Sequence, residues 1–289
     1  MSVIRIGWLD HHLYTHHSQV FLPLIRGKVG QGAFEVASAY ESHRDAGKGD
    51  WCVENGVRRA TTAQEVVDSS DVLMVVSPNN PEAHLELARP ALESGKPVYI
   101  DKYLAHTIED AKEIVGLARR HGSPLFTSSS LPFATEILAL LADVKLPVDS
   151  VFARGHGPWR MYYGVHTIAL AVRGFGAGAV RLIDTGSPES RFVTLDDGKR
   201  KATIEVRAAE NQTETCPWEL GLLSSNKYHH AVVKDHEAIY ANLMTQIVGF
   251  FKTKVAPVNL EEQFATVAIE VAAEESREKG GVWVDIPRL

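Results

Sequence analysis

Cysteine is scarce in this chain of 289 residues: Cys52 and Cys216 are the only two. Two thiols so far apart in sequence exclude a disulfide framework and a cysteine-rich zinc site, and point to a reducing compartment. Excess charge is also missing. The formal net charge of -6 is mild and gives no basic surface for nucleic acid. Long hydrophobic runs are absent: nowhere do about 18 apolar residues follow one another, so no membrane-crossing helix is expected. The opening MSVIRIGWLD enters strand-like sequence directly, without a basic segment followed by an apolar one. The expectation is a cytoplasmic protein. No repeat and no low-complexity tract is visible. Glycine is missing between Gly7 and Gly27, so no glycine-rich turn can follow the first strand.

What is present is the composition of a soluble globular chain, 45% hydrophobic and 23% charged. Its length allows one large domain or two ordinary ones. The stretch Asp71 to Ala105 organises the rest. Asp71 to Val76 is a valine-rich apolar run, the pattern of a strand buried on both faces. Ser77-Pro78-Asn79-Asn80-Pro81 stops it with turn residues. Leu85, Leu87, Ala88, Ala91 and Leu92 then carry helical spacing, and Gly95 stands where a helix C-terminal cap belongs. Pro97 to Ile100 is a second buried strand. The period switches from strand to helix to strand, which is a βαβ unit. Ligands of such sheets bind beyond the carboxyl ends of the strands, so Ser77 to Asn79 and Asp101 to Tyr103 share one rim.

Before this unit, Val3 to Leu9 reads as the first strand, Ser18 to Ile25 as a helix and Phe34 to Ala39 as the second strand. Residues 46–57 read as an irregular excursion, followed by a short helix over Ala63 to Val67. After the unit, Thr107 opens a helix with Asp110 three positions on, and Gly122 ends it. Leu125 to Ser130 is a strand running into Ser128-Ser129-Ser130. Phe133 to Leu141 is helical, and the texture changes from Val148. Strand patterns then dominate: Ser150 to Gly155, Arg181 to Thr185, Arg191 to Leu195, Ala202 to Ala208, Trp218 to Leu223 and His229 to Val233. A helix over Gly164 to Val172, stopped at Gly174, interrupts them. Two helices, Glu237 to Phe251 and Leu260 to Lys279, and a strand Val282 to Ile286 close the chain. The fold class is thus α/β, a Rossmann-like doubly wound sheet over residues 1–130, plus an α+β domain with a mostly antiparallel open sheet over residues 131–289. One exposed sheet face suits a homodimer or homotetramer.

Where a G-x-G-x-x-G turn would let a pyrophosphate approach a helix N-terminus, the chain reads Asp10-His11-His12-Leu13-Tyr14-Thr15-His16-His17. The bulky side chains crowd a phosphate that glycine admits, although helix N–H groups and a histidine can hold an anion. On a helix, His12 and His16 would be i,i+4 neighbours able to share a metal ion. A polar active-site rim and a solvated helix are the other readings, and no metal site is assigned. At the end of the second strand, Glu41 can take ribose hydroxyls and Arg44 suits a 2′-phosphate; a solvated turn is the alternative.

Asp71 to Ala105 resembles the corresponding part of the Gfo/Idh/MocA oxidoreductases. These carry T-P-N…H after a strand, then A-L-x-x-G-K-x-V, then an E-K-P turn with a catalytic Lys. Here stand Ser77-Pro78-Asn79, His84, Ala91-Leu92-Glu93-Ser94-Gly95-Lys96-Pro97-Val98 and Asp101-Lys102-Tyr103, with about two extra residues near Asn80-Pro81. Asp101 and Tyr103 replace the Glu and Pro of that turn. The family's D-x-G-x-H is matched by Gly164 and His166, with Tyr162 in place of Asp. Leu9-Asp10, Ser128-Ser129-Ser130 and Tyr163-Gly164-Val165-His166 are similar to a narrower branch that lacks the glycine fingerprint. The resemblance implies an NAD- or NADP-dependent dehydrogenase or reductase acting on a sugar, polyol or similar hydroxy or keto compound. It implies that Lys102 polarises the reacting oxygen, that His166 exchanges the hydroxyl proton, and that Tyr162 and Tyr163 are possible replacement acids. It places Asp10, His11, His12, Glu41, Ser77, Pro78, Asn79, Asp101 and Lys102 around the cofactor. His84 reads as a packing residue. A lyase, hydratase or isomerase that kept Lys102 and His166 and altered the cofactor role is the alternative, with a non-catalytic partner subunit behind it.

Overall fold

A computed structural model describes residues 3–27, 29–45, 47–159, 163–207 and 216–289. Tyr162 lies outside the described residues. The chain divides into two compact units. The first comprises Met1–Ser128 with Leu243–Leu260, and the second Ser129–Asn242 with Glu261–Leu289. The sequence reading put all of 131–289 in one domain, whereas Leu243–Leu260 returns to the first unit.

In the first unit the order is β1 (Ile4–Asp10), α1 (His16–Arg26), β2 (Phe34–Glu41), α2 (Trp51–Asn55), β3 (Arg58–Arg59), α3 (Ala63–Asp68), β4 (Val72–Val75), α4 (His84–Glu93), β5 (Val98–Ile100), α5 (Ile108–His121) and β6 (Leu125–Thr127). The six strands pair in parallel in the order β3-β2-β1-β4-β5-β6, the doubly wound topology. Every residue of β4 and β5 is buried, as expected of central parallel strands. Fully burying each Val or Leu there contributes roughly 1.5–3 kcal/mol. Gly7 is set by space: a Cβ would meet Ser70 Oγ and Val66 Cγ1 at 2.6 Å, so glycine lets α3 lie close on β1. Residues 46–57, read as irregular, contain α2. Asp50 caps it by accepting the Val53 N–H at 3.1 Å, and Trp51 is buried against Trp8 with ring centroids 5.5 Å apart. Burial of Trp51 stabilises a helix too short to stand alone. The segment 243–260 brings Phe250 onto Phe126 (5.7 Å) and Phe251 onto Phe34 (6.4 Å).

The second unit contains α6 (Thr135–Asp143), β7 (Ser150–His156), α7 (Gly164–Phe175), β8 (Arg181–Asp184), β9 (Ser190–Asp196), β10 (Lys201–Arg207), β11 (Glu219–Ser224), β12 (Lys227–Val232), the start of α8 (Ala238–Thr253), α9 (Leu260–Glu278) and β13 (Val284–Asp285). Its sheet runs β12-β11-β7-β10-β9-β8-β13 and is antiparallel except for the pair β7 and β10. α7 passes the expected stop at Gly174 and ends at Gly176, whose φ of +83° suits glycine. Gly174 instead lets the helix approach the sheet, since a Cβ there would meet Leu222 at 2.6 Å. Among the described residues no helix is long and apolar enough to cross a membrane.

Candidate active site

The carboxyl ends of β1, β2, β4 and β5 form the rim on which the sequence places its first-domain candidates. Asp101, directly after β5, is fully buried. Its Oδ1 accepts the Lys102 N–H at 2.8 Å and its Oδ2 pairs with His17 Nδ1 at 2.5 Å. Burial alone would raise this carboxyl, but the charge and hydrogen bond of His17 and the charge of Lys102 outweigh it, so its pKa lies below the ordinary value. Lys102 is 6% exposed, and its Nζ donates to the Pro78 carbonyl at 3.2 Å. The turn after β4 thus holds the ammonium, and Pro78 acts through its main chain.

His84 is a tie between the two turns. Fully buried, it faces the Ser77 carbonyl with Nε2 (3.0 Å) and the Tyr103 carbonyl with Nδ1 (2.9 Å). Burial nevertheless lowers its pKa, against the pull of those carbonyls and of Asp101. This bridge goes beyond the packing role read from sequence.

Asp10, the last residue of β1, is fully buried as well. Burial pushes its carboxyl well above the ordinary range, the His12 N–H opposes this at 3.1 Å from Oδ1, and the charge of Asp101 adds to it. Its Oδ2 is buried with only the Trp8 indole to turn to, and the Ser77 Oγ is buried without a partner among the described residues. Two carboxyls of one rim are therefore pushed in opposite directions, Asp10 towards its neutral form by burial and Asp101 towards its anion by His17 and Lys102.

Beyond the strand ends the backbone ladder continues: Ser42 N–H donates to the Asp10 carbonyl at 3.0 Å and His43 N–H to the His11 carbonyl at 2.9 Å. This register gathers three imidazoles. Ring centroids lie 4.4 Å apart for His11 and His12, 5.0 Å for His12 and His43, and 5.6 Å for His11 and His43. His12 Nδ1 lies 2.9 Å from the His43 carbonyl and His11 Nδ1 2.9 Å from Ser42 Oγ. Burial, then the neighbouring His12 and His43, lower the pKa of His11, with Glu82 and Glu86 opposing. α1 begins at His16, after a capping box between Thr15 and Ser18, so His12 and His16 do not share a helical face. Among the described residues no group of three or more His, Cys, Asp or Glu is set to hold a metal ion.

Glu41 is already engaged. Its Oε2 accepts the Leu13 N–H at 3.0 Å and its Oε1 accepts Arg59 Nη1 at 2.7 Å. Arg59 had no local signal, because a two-residue edge strand carries no readable period.

The second unit presents His166 in the first turn of α7. Its Nδ1 lies 2.7 Å from Ser129 Oγ, so one residue of the serine lip orients the ring. Tyr163, 45% exposed, meets it edge-on at 5.9 Å. Trp218 lies 6.1 Å from His166 on another side, and itself packs on His156 at 4.1 Å. Gly155 admits this, since a Cβ there would overlap Thr167 and Trp218. Trp218 was read only as the start of a strand.

A nicotinamide dinucleotide fits the donor set of the first unit. The imidazoles of His11, His12 and His43 lie at the ends of β1 and β2, where a pyrophosphate of such a sheet belongs. The buried Asp10 Oδ2 and the unpartnered Ser77 Oγ lie at the ends of β1 and β4.

Residues 11–129 match the model of an oxidoreductase family with an NAD-binding Rossmann fold, Gfo/Idh/MocA. The chain is 30% identical over 138 residues to the uncharacterized oxidoreductase YdgJ of Escherichia coli K12, covering 47% of this chain and 37% of that protein. It is 36% identical over 106 residues to 1,5-anhydro-D-fructose reductase of Ensifer adhaerens, covering 36% of this chain and 32% of that protein. The matched segments thus span about a third of these relatives' own lengths. Among solved structures, the myo-inositol 2-dehydrogenase of Lactobacillus plantarum shares the fold with a TM-score of 0.77 at 16% identity, over 99% of this chain and 100% of that one. GenD2 from gentamicin A biosynthesis, solved in complex with NAD, does so with a TM-score of 0.79 at 14% identity, over 99% and 97%. Over residues 11–129 the chain thus resembles the Gfo/Idh/MocA oxidoreductase family, whose NAD-binding Rossmann fold its six-stranded parallel sheet shares.

Proposed function

We propose that the chain is an NAD(P)-dependent oxidoreductase acting on the hydroxyl or keto group of a sugar, polyol or related small molecule. The observation that carries this reading is Lys102 at the carboxyl end of a central parallel strand, its buried side chain donating to the Pro78 carbonyl and its main-chain N–H to Asp101. A nicotinamide bound at this sheet supplies hydride transfer. Lys102 donates to the reacting oxygen and disperses its developing charge. His166, oriented by Ser129, exchanges the hydroxyl proton, with Tyr163 beside it. Ser77, Pro78 and Asn79 would hold the nicotinamide end, Asp10, His11 and His12 the pyrophosphate, and Glu41 the adenosine end. The substrate class is supported by a relative named for reduction of 1,5-anhydro-D-fructose and by a myo-inositol 2-dehydrogenase of the same fold. A second copy covering the open face of the second sheet would make a homodimer or homotetramer, which light scattering of the purified chain tests.

One observation favours a second reading, a lyase, hydratase or isomerase on this scaffold. The first turn has no glycine, and its Leu13, Thr15 and Ser18 N–H groups are bonded within the protein. Calorimetry with NADH and NADPH, followed by turnover of inositols, aldoses and ketoses, separates the two. Nucleotide binding with turnover lost in Lys102→Ala and in His166→Ala supports the oxidoreductase. Failure of a folded sample to bind either nucleotide overturns it in favour of the second reading, and full activity in either variant removes that residue from the mechanism.

A further inference from the structure

We propose that the adenosine end of this site selects NADP(H) over NAD(H), and that Arg59 sets the choice by engaging Glu41. The inference rests on the dinucleotide reading above. In nucleotide-binding parallel sheets, an acidic residue at the end of the second strand chelates the ribose hydroxyls, and an arginine nearby accommodates a 2′-phosphate. Glu41 is the last residue of β2 and holds the acidic position. Its carboxylate is spent: one oxygen on Arg59, the other on the Leu13 N–H, with the side chain only 9% exposed. Arg59 is delivered by β3, which pairs Arg59 with Ala39 on β2.

From Arg59 the charges alternate outward. Its Nη2 donates to Asp50 Oδ1 at 2.8 Å, and Asp50 Oδ2 accepts Arg44 Nη2 at 3.1 Å. Arg59 thus sits between Glu41 and Asp50, and the repulsion that Glu41 would exert on a phosphate is reduced by its pairing. At the outer end stand two half-exposed cations, Arg44 and Lys48, which line one small pocket with His12, Tyr14 and Glu41. Asp45 is the opposing carboxylate of that pocket, and Lys48 lies 3.9 Å from it. The Tyr14 hydroxyl is bonded to Glu54. A ribose diol finds the carboxylate at the end of the second strand, Glu41, already engaged. A 2′-phosphate, with about -1.5 to -2 charge and three acceptor oxygens, finds the exposed Arg44 and Lys48.

The test is a calorimetric comparison of NADPH and NADH on the full chain. Wild type is expected to bind NADPH at least tenfold more tightly. Arg59→Gln releases Glu41, and the ratio is expected to fall by tenfold or more, chiefly through tighter NADH binding. Arg44→Ala, at an exposed position that does not threaten folding, is expected to weaken NADPH about tenfold and leave NADH unchanged. Equal or tighter binding of NADH by wild type overturns the inference and leaves the dinucleotide reading standing. So does an unchanged ratio in both variants. Binding of neither nucleotide overturns both.

Discussion

Asp10 and Asp101 are fully buried carboxyls on one rim, and their neighbours decide their charge. Asp101 has His17 and Lys102 to favour its anion, whereas Asp10 has burial and a nearby like charge against it. Asp101→Asn keeps an acceptor for the Lys102 N–H and removes the anion that His17 faces. Breaking a buried pair in this way costs about 3 kcal/mol, and turnover is expected to fall at least tenfold with a displaced pH profile. Denaturant titration and a pH–rate profile check this; an unchanged profile would leave Asp101 a purely structural residue. For Asp10 the sign is opposite. The unfolded carboxyl ionises near pH 4 while burial raises the folded pKa above that, so its contribution is full below about pH 4 and is lost as pH rises through the folded pKa. Asp10→Asn cannot ionise. It is expected to melt a few degrees higher than wild type at pH 7 to 8 and to show a flatter pH dependence of Tm. Lys102 and Asp101 were legible in sequence because a strand end and a turn mark them. The His17 partnership, formed across 84 positions, was not.

At the scale of the element, the histidine-rich turn between β1 and α1 replaces a glycine turn by side chains. A carbonyl only accepts, so His12 Nδ1 must donate to His43 O, and a neutral His12 presents a lone pair at Nε2. Only the imidazolium offers a donor there. His11 is held below its ordinary pKa by burial and by His12 and His43, with Glu82 and Glu86 pulling the other way. Arg44, Asp45 and Lys48 face His12 from the loop after β2. A bound phosphate would favour a cationic His11, so nucleotide binding is expected to take up a proton. Affinity is expected to rise as pH falls from 8 to 5.5, by up to about tenfold per pH unit for each proton taken up. Calorimetry in two buffers of different ionisation enthalpy measures the uptake; flat affinity would show that the imidazoles take no part. Periodicity predicted α4, α5 and the Gly122 cap of α5, because local rules govern them, whereas Ser94 caps α4 and Gly95 follows it at φ +71°. It missed α2, stabilised by burial of Trp51, and it stopped α7 at Gly174, a glycine required by close packing.

At the scale of the whole molecule, the chain crosses from its second unit back to its first within α8, at Asn242 and Leu243. The apolar pattern of Glu237 to Phe251 announced a helix, but a helix apolar on most sides reads the same whichever sheet it covers. Its destination is written in the pairing of Phe250 with Phe126 and of Phe251 with Phe34, contacts no local pattern encodes. The first unit is therefore not continuous in sequence. A chain ended at Ser130 would keep all six strands and leave Phe34 and Phe126 without these partners. Such a fragment is expected to bind hydrophobic dyes and to melt without a cooperative transition. In the full chain Phe250, 1% exposed, fills the same place. Phe250→Ala is expected to cost about 3–5 kcal/mol through lost burial and the cavity left behind. Hydrogen exchange locates the effect: protection should fall in β2 and β6, which carry Phe34 and Phe126, and persist in β9 and β10. Loss of protection confined to the second unit would place the helix with the other domain, where the sequence pattern had put it.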